Sequence, residues 1–158
     1  MVMDYTIDSS TIFPIVEEEV SREASQAYSA DGVSLYDGIK MISRDEAKKK
    51  RMMSEALAAI KIQCNRFLTH GEVTEPDSEP TSIVLTFGVS DRRLKGKEES
   101  ILTMFRSMAV NFILNKFFAS KNQSELAAKY DAMALADVQM LNKLLYEKLP
   151  PVYPTEYE

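Results

Sequence analysis

Apolar residues in the C-terminal part of the chain recur at three- and four-residue steps, which is the spacing of one face of an α-helix. In the first such stretch, which begins at Glu98, they are Ile101, Leu102, Phe105, Met108, Ala109, Phe112, Ile113 and Phe117. A second stripe follows a predicted N-cap at Asn122 and comprises Leu126, Tyr130, Met133, Ala134, Leu141, Leu144 and Leu145. Two facing apolar stripes predict a helical hairpin that forms the core of the domain, and Pro150 ends its second helix.

The N-terminal half predicts two further helices. The first spans residues 10–29, and its apolar positions are Ile12, Val16, Val20, Ala24 and Ala27. The second begins at a capping box, residues 43–46, and ends at Gly71. Its apolar positions are Met53, Leu57, Ile60, Cys64, Phe67 and Leu68. This second helix would be about 40 Å long at 1.5 Å per residue, so one end is expected to project or to pack on a neighbour.

Residues 82–89 alternate between apolar and other side chains, and this period of two predicts a β-strand. The preceding residues 72–81 are acidic and contain two prolines, a composition typical of an exposed loop. A strand needs partners for its backbone N–H and C=O groups. The candidates are residues 2–7, residues 33–41, or another copy or another protein that pairs by β-augmentation.

These elements predict a mainly α fold, a helical bundle of about four helices with a C-terminal helical hairpin and one short β-strand or small β-hairpin insertion. Residues 1–148 are expected to form a single helical domain, with the strand and loop insertion at residues 72–96. Residues 149–158 are expected to be a flexible acidic tail. With 158 residues, 45% of them hydrophobic, folding can bury a core without a metal or a disulfide.

The net charge of -5 argues against a general nucleic-acid binder, because nonspecific affinity comes chiefly from cations that replace the counterions of phosphates. One basic run, residues 48–51, is expected to be a solvated helix surface, since consecutive helical residues point in all directions. No apolar run is long enough to span a membrane, and the first residues lack the pattern of a signal peptide. The chain is therefore expected to fold in the cytoplasm.

Side chains suited to catalysis are few in this sequence. Cys64, the single cysteine, lies in an apolar helical stripe and is expected to fill the core. His70, the single histidine, is expected in the last turn of the second helix, where an imidazolium favourably meets the negative end of the dipole. No phosphate-binding glycine motif occurs. We predict no catalytic, cofactor-binding or metal-binding residue, and we expect the chain to work by binding other protein subunits.

The order of elements resembles that of tailed-phage head-tail connector proteins, which are also called adaptor or head-completion proteins. The resemblance covers residues 10–148: the helical N-terminal half, the long helix through residues 60–67, the short extended insertion, and the hairpin that ends at residues 140–146. This chain is longer than compact members of the family, and its segment before Ser43 is larger. Both departures leave room for a neck or tail-completion subunit in place of the adaptor itself.

The resemblance implies a homo-oligomeric ring, a dodecamer, that lies between the portal and the tail-side neck proteins of the virion. DNA would pass through its channel without sequence-specific binding, and assembly would take place in the host cytoplasm. The subunit contacts would fall in residues 72–96 and in the tail. The expected interface residues are Ile83, Leu85, Phe87, Val89, Arg92, Arg93, Val152, Tyr153 and Tyr157.

Two alternatives to a connector stay open. One is a cytoplasmic helical protein-protein interaction or regulatory module outside phages. The other is a small enzyme that uses acids and tyrosines without a metal or a nucleotide. A connector should assemble into a ring or join a portal, a regulator should stay a monomer or dimer, and an enzyme should have a ligand pocket.

Overall fold

The computed structural model describes residues 2–25, 37–42, 44–65, 68–74, 82–88 and 98–146. In chain order its elements are β1 (Val2–Asp8), α1 (Ser9–Ser25), α2 (residues 37–42), α3 (Glu46–Gln63), β2 (Leu68–Thr74), β3 (Ser82–Gly88), α4 (Glu98–Ser120) and α5 (Ser124–Tyr146). The three strands form one antiparallel sheet. The predicted mainly helical fold with a small β component is thus confirmed. In the described ranges, no helix is both long enough and apolar enough to cross a membrane.

The predicted hairpin is formed by α4 and α5, which make the most extensive contact of any two described elements. Between them, Gln123 donates its backbone N–H to the carbonyl of Phe118 at 2.9 Å, and Asn122 has a left-handed φ of 59°. This is the Schellman arrangement, in which a left-handed residue closes a helix. Asn122 therefore ends α4, and its predicted role as the N-cap of the next helix was wrong.

Helix α3 begins later and ends earlier than the sequence predicted. Its N-cap is Asp45, whose carboxylate accepts hydrogen bonds from two backbone N–H groups of the first turn, at 3.0 and 3.3 Å. The predicted cap, Ser43, lies outside the described residues. The helix ends at Gln63, so it is about 27 Å long instead of about 40 Å. His70 and Gly71, predicted in its last turn and at its C-terminal end, lie in β2.

Strand β3 is the central strand of the sheet, in the order β1-β3-β2. Leu85 in its middle lies opposite Tyr5 of β1 and opposite Gly71 of β2. Both edges of β3 are thus paired within the chain, because each backbone ladder is already occupied. The hypothesis that this strand pairs with another protein was therefore wrong.

The partners of β3 correspond only in part to the predicted ones. Residues 2–7 were a candidate strand and are confirmed as β1. The other candidate, residues 33–41, is helical over residues 37–41, and its residues 33–36 lie outside the described residues. Strand β2 was not predicted, since the sequence placed residues 68–71 in a helix and residues 72–74 in a loop.

Gly71 is explained by a close approach of β2 to α3. A Cβ atom at this position would lie 3.0 Å from Cδ1 of Leu57 and 3.1 Å from Cε of Lys61. Glycine lets the strand backbone approach the helix. It does not close a helix here, contrary to the sequence-based assignment.

The core is one continuous cluster of buried side chains, and the sheet joins it at the first half of α4. The rings of Tyr5, Phe87 and Phe105 form a cluster in which the centroids are 5.3 to 6.1 Å apart. Cys64 is fully buried, with its Sγ 3.9 Å from the Sδ of Met108, and burial raises the pKa of its thiol to about 12. The prediction that Cys64 fills the core is confirmed.

Candidate functional site

The predicted interface residues divide into two groups in the structure. Ile83, Leu85 and Phe87 are fully buried between the sheet and the helices, so they are core residues and are not available to a partner. The others lie outside the described residues: Val89, Arg92, Arg93, Val152, Tyr153 and Tyr157. A period of two indicates a half-buried strand, but it does not say which protein covers the apolar face.

A different apolar surface lies on the outward side of α5. We call it the α5 face, and it consists of Ala128, Ala132, Met133, Leu135, Ala136 and Met140. The side chains of Met133, Leu135 and Met140 are 42%, 37% and 49% exposed. Helical spacing places all six positions on the exposed side of α5, and Met133 lies at the edge of this side, where it also borders a pocket next to α1 and α4. Met133, which the sequence placed in the buried stripe, belongs to this exposed face.

A second surface is a groove of about 360 Å³ formed by α2, α3 and the C-terminal end of α4. Four cations border it, and three apolar side chains lie between them. We call it the cationic groove, and it consists of Lys48, Arg51, Lys116 and Lys121 around Met41, Ile42 and Met52. The one acid at its edge, Glu55, lies 3.6 Å from the Nε of Arg51.

The basic run at residues 48–51 is largely exposed, as expected, and two of its residues border this groove. Lys48 and Arg51 border the cationic groove. Lys49 points elsewhere, with its ammonium 5.7 Å from the ring centroid of Phe13 and 3.4 Å from the carboxylate of Glu46. The sequence showed the run, but Lys116 and Lys121 come to it only through the packing of α4 beside α3.

A third feature is a polar cluster that joins α1 to α5. The buried carboxylate of Glu23 accepts hydrogen bonds from Nζ of Lys129 at 2.6 Å and from the hydroxyl of Tyr130 at 3.0 Å. Burial opposes ionisation of Glu23, but these hydrogen bonds outweigh it and hold the pKa of the carboxyl below its usual value. Burial and the neighbouring carboxylate raise the pKa of Tyr130, so this phenol stays protonated and acts as a donor.

Beside this cluster is a pocket of about 290 Å³ between α1, α4 and α5, bordered by Ile15, Val110 and Met133. Arg106 lines it, and its buried Nε has no hydrogen-bond partner among the described residues. Asp137 on the neighbouring helix accepts hydrogen bonds from Ser107 and Asn111, at 2.7 and 2.8 Å. The pocket can hold a small apolar group or the side chain of a bound protein.

Replacing Glu23 with glutamine is expected to lower the free energy of unfolding by about 1–3 kcal/mol at neutral pH, because a charged hydrogen-bond acceptor is lost. The folded-state pKa of Glu23 is depressed, so its contribution is present above the ordinary value of 4.5 and is lost as pH falls through the folded-state value. The difference between wild type and variant should therefore shrink below about pH 4.5. Urea unfolding at several pH values measures it.

The control for this experiment is the glutamine variant of Glu18, an exposed residue of the same helix. It should change stability by less than about 0.5 kcal/mol at every pH. A difference between wild type and the Glu23 variant that stays constant down to about pH 3.5 would contradict the role of the carboxylate charge.

His70 is exposed on β2, with its Nε2 3.4 Å from the carboxylate of Glu72. Within the described part of the chain, no three His, Cys, Asp or Glu side chains are placed to hold a metal ion. Comparison with protein-family models, with curated proteins and with solved structures finds no match. The described part of the chain is thus a mainly helical domain with a three-stranded antiparallel sheet, and its exposed surfaces are the candidates for a functional site.

Proposed function

We propose that this chain is a structural subunit that binds other protein subunits, and that it is a head-tail connector or neck subunit of a tailed phage. The observation that carries the proposal is the α5 face. Its three large apolar side chains stand on one side of a 23-residue helix and are separated by exposed alanines. Burying each such side chain in an interface would contribute about 1 kcal/mol.

The occupant that we propose for the α5 face is the next copy of the chain. The alanines let another helix approach closely, while the methionines adapt to the shape of the partner. A contact between the α5 face and a different surface of the next subunit is heterologous, and repetition of such a contact closes into a ring when the rotation allows it. A ring is the assembly that the resemblance to connector proteins implies.

In this proposal the ring, a dodecamer, lies in the neck of the virion and binds the portal and the tail-side neck proteins. The net charge of -5 fits a channel through which DNA passes without sticking, because few cations are available to replace phosphate counterions. Residues 72–96 and the tail remain the predicted additional contacts, except for the buried residues of β3.

The test is the oligomeric state of the chain, alone and mixed with the portal protein encoded in the same genome. Light scattering after size exclusion gives the mass, and electron microscopy shows whether a ring forms. We expect a monomer or weak association alone and an ordered ring on the portal. A chain that stays monomeric or dimeric with the portal would favour a regulatory module instead.

A double substitution on the α5 face, Leu135→Lys with Met140→Glu, is expected to weaken assembly by at least about tenfold, since it places two charges in the centre of the interface. The variant keeps the net charge. Each new side chain also gains an oppositely charged helical neighbour, Asp131 at four residues before Leu135 and Lys143 at three residues after Met140, so α5 itself should remain stable.

The matched control is Thr11→Lys with Ser54→Glu, which makes the same charge changes at exposed positions of α1 and α3. Circular dichroism should show unchanged helical content in both variants. The yield of rings on the portal should fall only in the α5 variant. Equal ring formation by the two variants would remove the α5 face from the interface.

A further inference from the structure

We propose that the cationic groove binds the acidic C-terminal segment, residues 147–158, of a second copy of this chain. The inference rests on the proposed function, because it requires copies that associate. The sequence alone does not indicate which surface residues 147–158 bind, and the groove supplies one. The contact would be heterologous, since the groove and the segment are different parts of the chain.

The groove has a large excess of positive charge at close range. Lys116 and Lys121 have no acidic partner among the described residues, and Arg51 has an 83% exposed side chain next to a single carboxylate. These three cations and Lys48 surround one concave surface. Like charges held together repel one another, and a bound anionic segment relieves this repulsion.

The composition of residues 147–158 is complementary to the groove. The segment contains three glutamates, one lysine and three prolines. Its apolar side chains include Val152, Tyr153 and Tyr157, which suit the exposed Met41 and the half-buried Ile42 and Met52. Tyrosine and methionine are enriched at protein interfaces, and a proline-rich segment loses little backbone entropy when it is bound in an extended form.

The geometry of the hairpin favours a segment from a second copy. The groove includes Lys121 in the turn that precedes α5, whereas the acidic segment follows Tyr146 at the far end of this helix, about 34 Å away. Glu156 is ten residues beyond Tyr146, so it spans at most about 36 Å when fully extended. Binding within one chain would therefore require nearly all residues between Tyr146 and Glu156 to be fully extended. Ordering them in this way would cost a large amount of conformational entropy.

The apolar floor of the groove favours a peptide over a nucleic acid as its occupant. A nucleic-acid duplex presents mainly sugars and phosphates to such a groove, and these do not cover Met41, which is 62% exposed. An acidic peptide with tyrosines supplies both the carboxylates for the rim and the apolar groups for the floor. We therefore expect a peptide in the groove, and a competition experiment with an oligonucleotide, given below, distinguishes peptide binding from nucleic-acid binding.

The first measurement is binding of a labelled synthetic peptide of residues 147–158 to the full chain, followed by fluorescence polarisation. We expect saturable binding that weakens at least about tenfold in Lys48→Glu with Lys116→Glu, because two of the four cations are reversed. The control, Lys61→Glu with Lys143→Glu, makes the same charge change outside the groove and should leave binding unchanged. A peptide that does not bind, or that binds both variants equally, overturns the proposal.

The second measurement is a charge exchange between copies. The groove variant, Lys48→Glu with Lys116→Glu, and a tail variant, Glu156→Lys with Glu158→Lys, should each assemble poorly on the portal. Their mixture should assemble again, because each groove then meets a segment of opposite charge on the other variant. If the mixture does not assemble, but a single chain that carries all four substitutions does, the segment binds the groove of its own copy. That result would overturn the assignment to a second copy.

The two measurements separate this inference from the proposed function. Rings that form equally well with the groove variant would overturn the inference and leave the ring intact. Groove-dependent peptide binding by a chain that never forms a ring would overturn the connector role and leave the groove as a peptide site. A single-stranded oligonucleotide that binds the groove and displaces the peptide would overturn the inference by assigning the groove to nucleic acid.

Discussion

Replacing Leu85 with proline is expected to unfold the whole chain. Leu85 lies in the middle of β3, and its backbone is paired with β1 on one side and with β2 on the other. Proline removes a backbone N–H and fixes φ in a central strand, which costs about 3 kcal/mol or more. Loss of a fully buried leucine side chain adds about 2–5 kcal/mol. Together these terms are comparable to the whole stability of an ordinary domain.

This expectation differs from the one that the sequence alone supports. If β3 were a strand exposed to a partner, the same substitution would abolish assembly and leave the helices intact. The central position of β3 changes the outcome, because β1 leads directly into α1 and β2 packs on α3. Loss of the sheet therefore removes part of the packing of both helices, which otherwise rest on α4.

Circular dichroism and urea unfolding of the Leu85→Pro variant test this expectation. The control is Leu85→Ala, which removes the side chain and keeps the N–H group. It should remain folded with a free energy of unfolding lower by about 2–5 kcal/mol. A proline variant with wild-type helical content and a cooperative transition would show that the helices fold without the sheet.

Replacing Phe105 with alanine is expected to lower the free energy of unfolding by about 3–5 kcal/mol. Its ring is fully buried on α4 and lies 5.5 Å from that of Phe87 on β3 and 6.1 Å from that of Tyr5 on β1, measured between centroids. The substitution leaves a cavity at the junction of the sheet and the hairpin. For a domain of this size the melting temperature should fall by about 6–20 °C.

The matched control is Ile15→Ala on α1, whose side chain is 38% exposed. It should lower the free energy of unfolding by about 1 kcal/mol or less, since little apolar area is lost from the core. Differential scanning calorimetry compares both variants with wild type. Equal shifts in the two variants would mean that the sheet does not pack on α4 as described.

The hairpin is the part of the fold that the sequence determined by itself. The apolar stripe of α4 is long and regular, and seven of its eight predicted positions are buried in the structure. Leu102, the eighth, is half-buried. A stripe that extends over many turns predicts the helix and one buried face. The structure buries α4 on other sides as well, at Val110, Asn111, Leu114 and Phe118.

The end of α3 and the sheet were decided by the tertiary structure. Residues 64–71 contain apolar side chains at helical spacing and a glycine, a pattern equally consistent with a helix end. As a strand, this segment instead forms a hydrogen-bonded ladder with β3, interrupted by a register shift between Leu68 and His70, and Gly71 packs closely against α3. Such non-local pairing is absent from the local pattern, and it overrides weak local preferences.

The sequence by itself determined the mainly helical class, the stripe of α4, the burial of Cys64 and the strand at residues 82–88. Only the tertiary structure decided that this strand is central, that the α5 face points outward, and that Lys116 and Lys121 join Lys48 and Arg51 in one groove. The sequence could not predict these three features because they depend on residues that are far apart along the chain. Helical and strand periodicity act between neighbours of a few residues, whereas a groove collects charges from helices that are far apart in sequence.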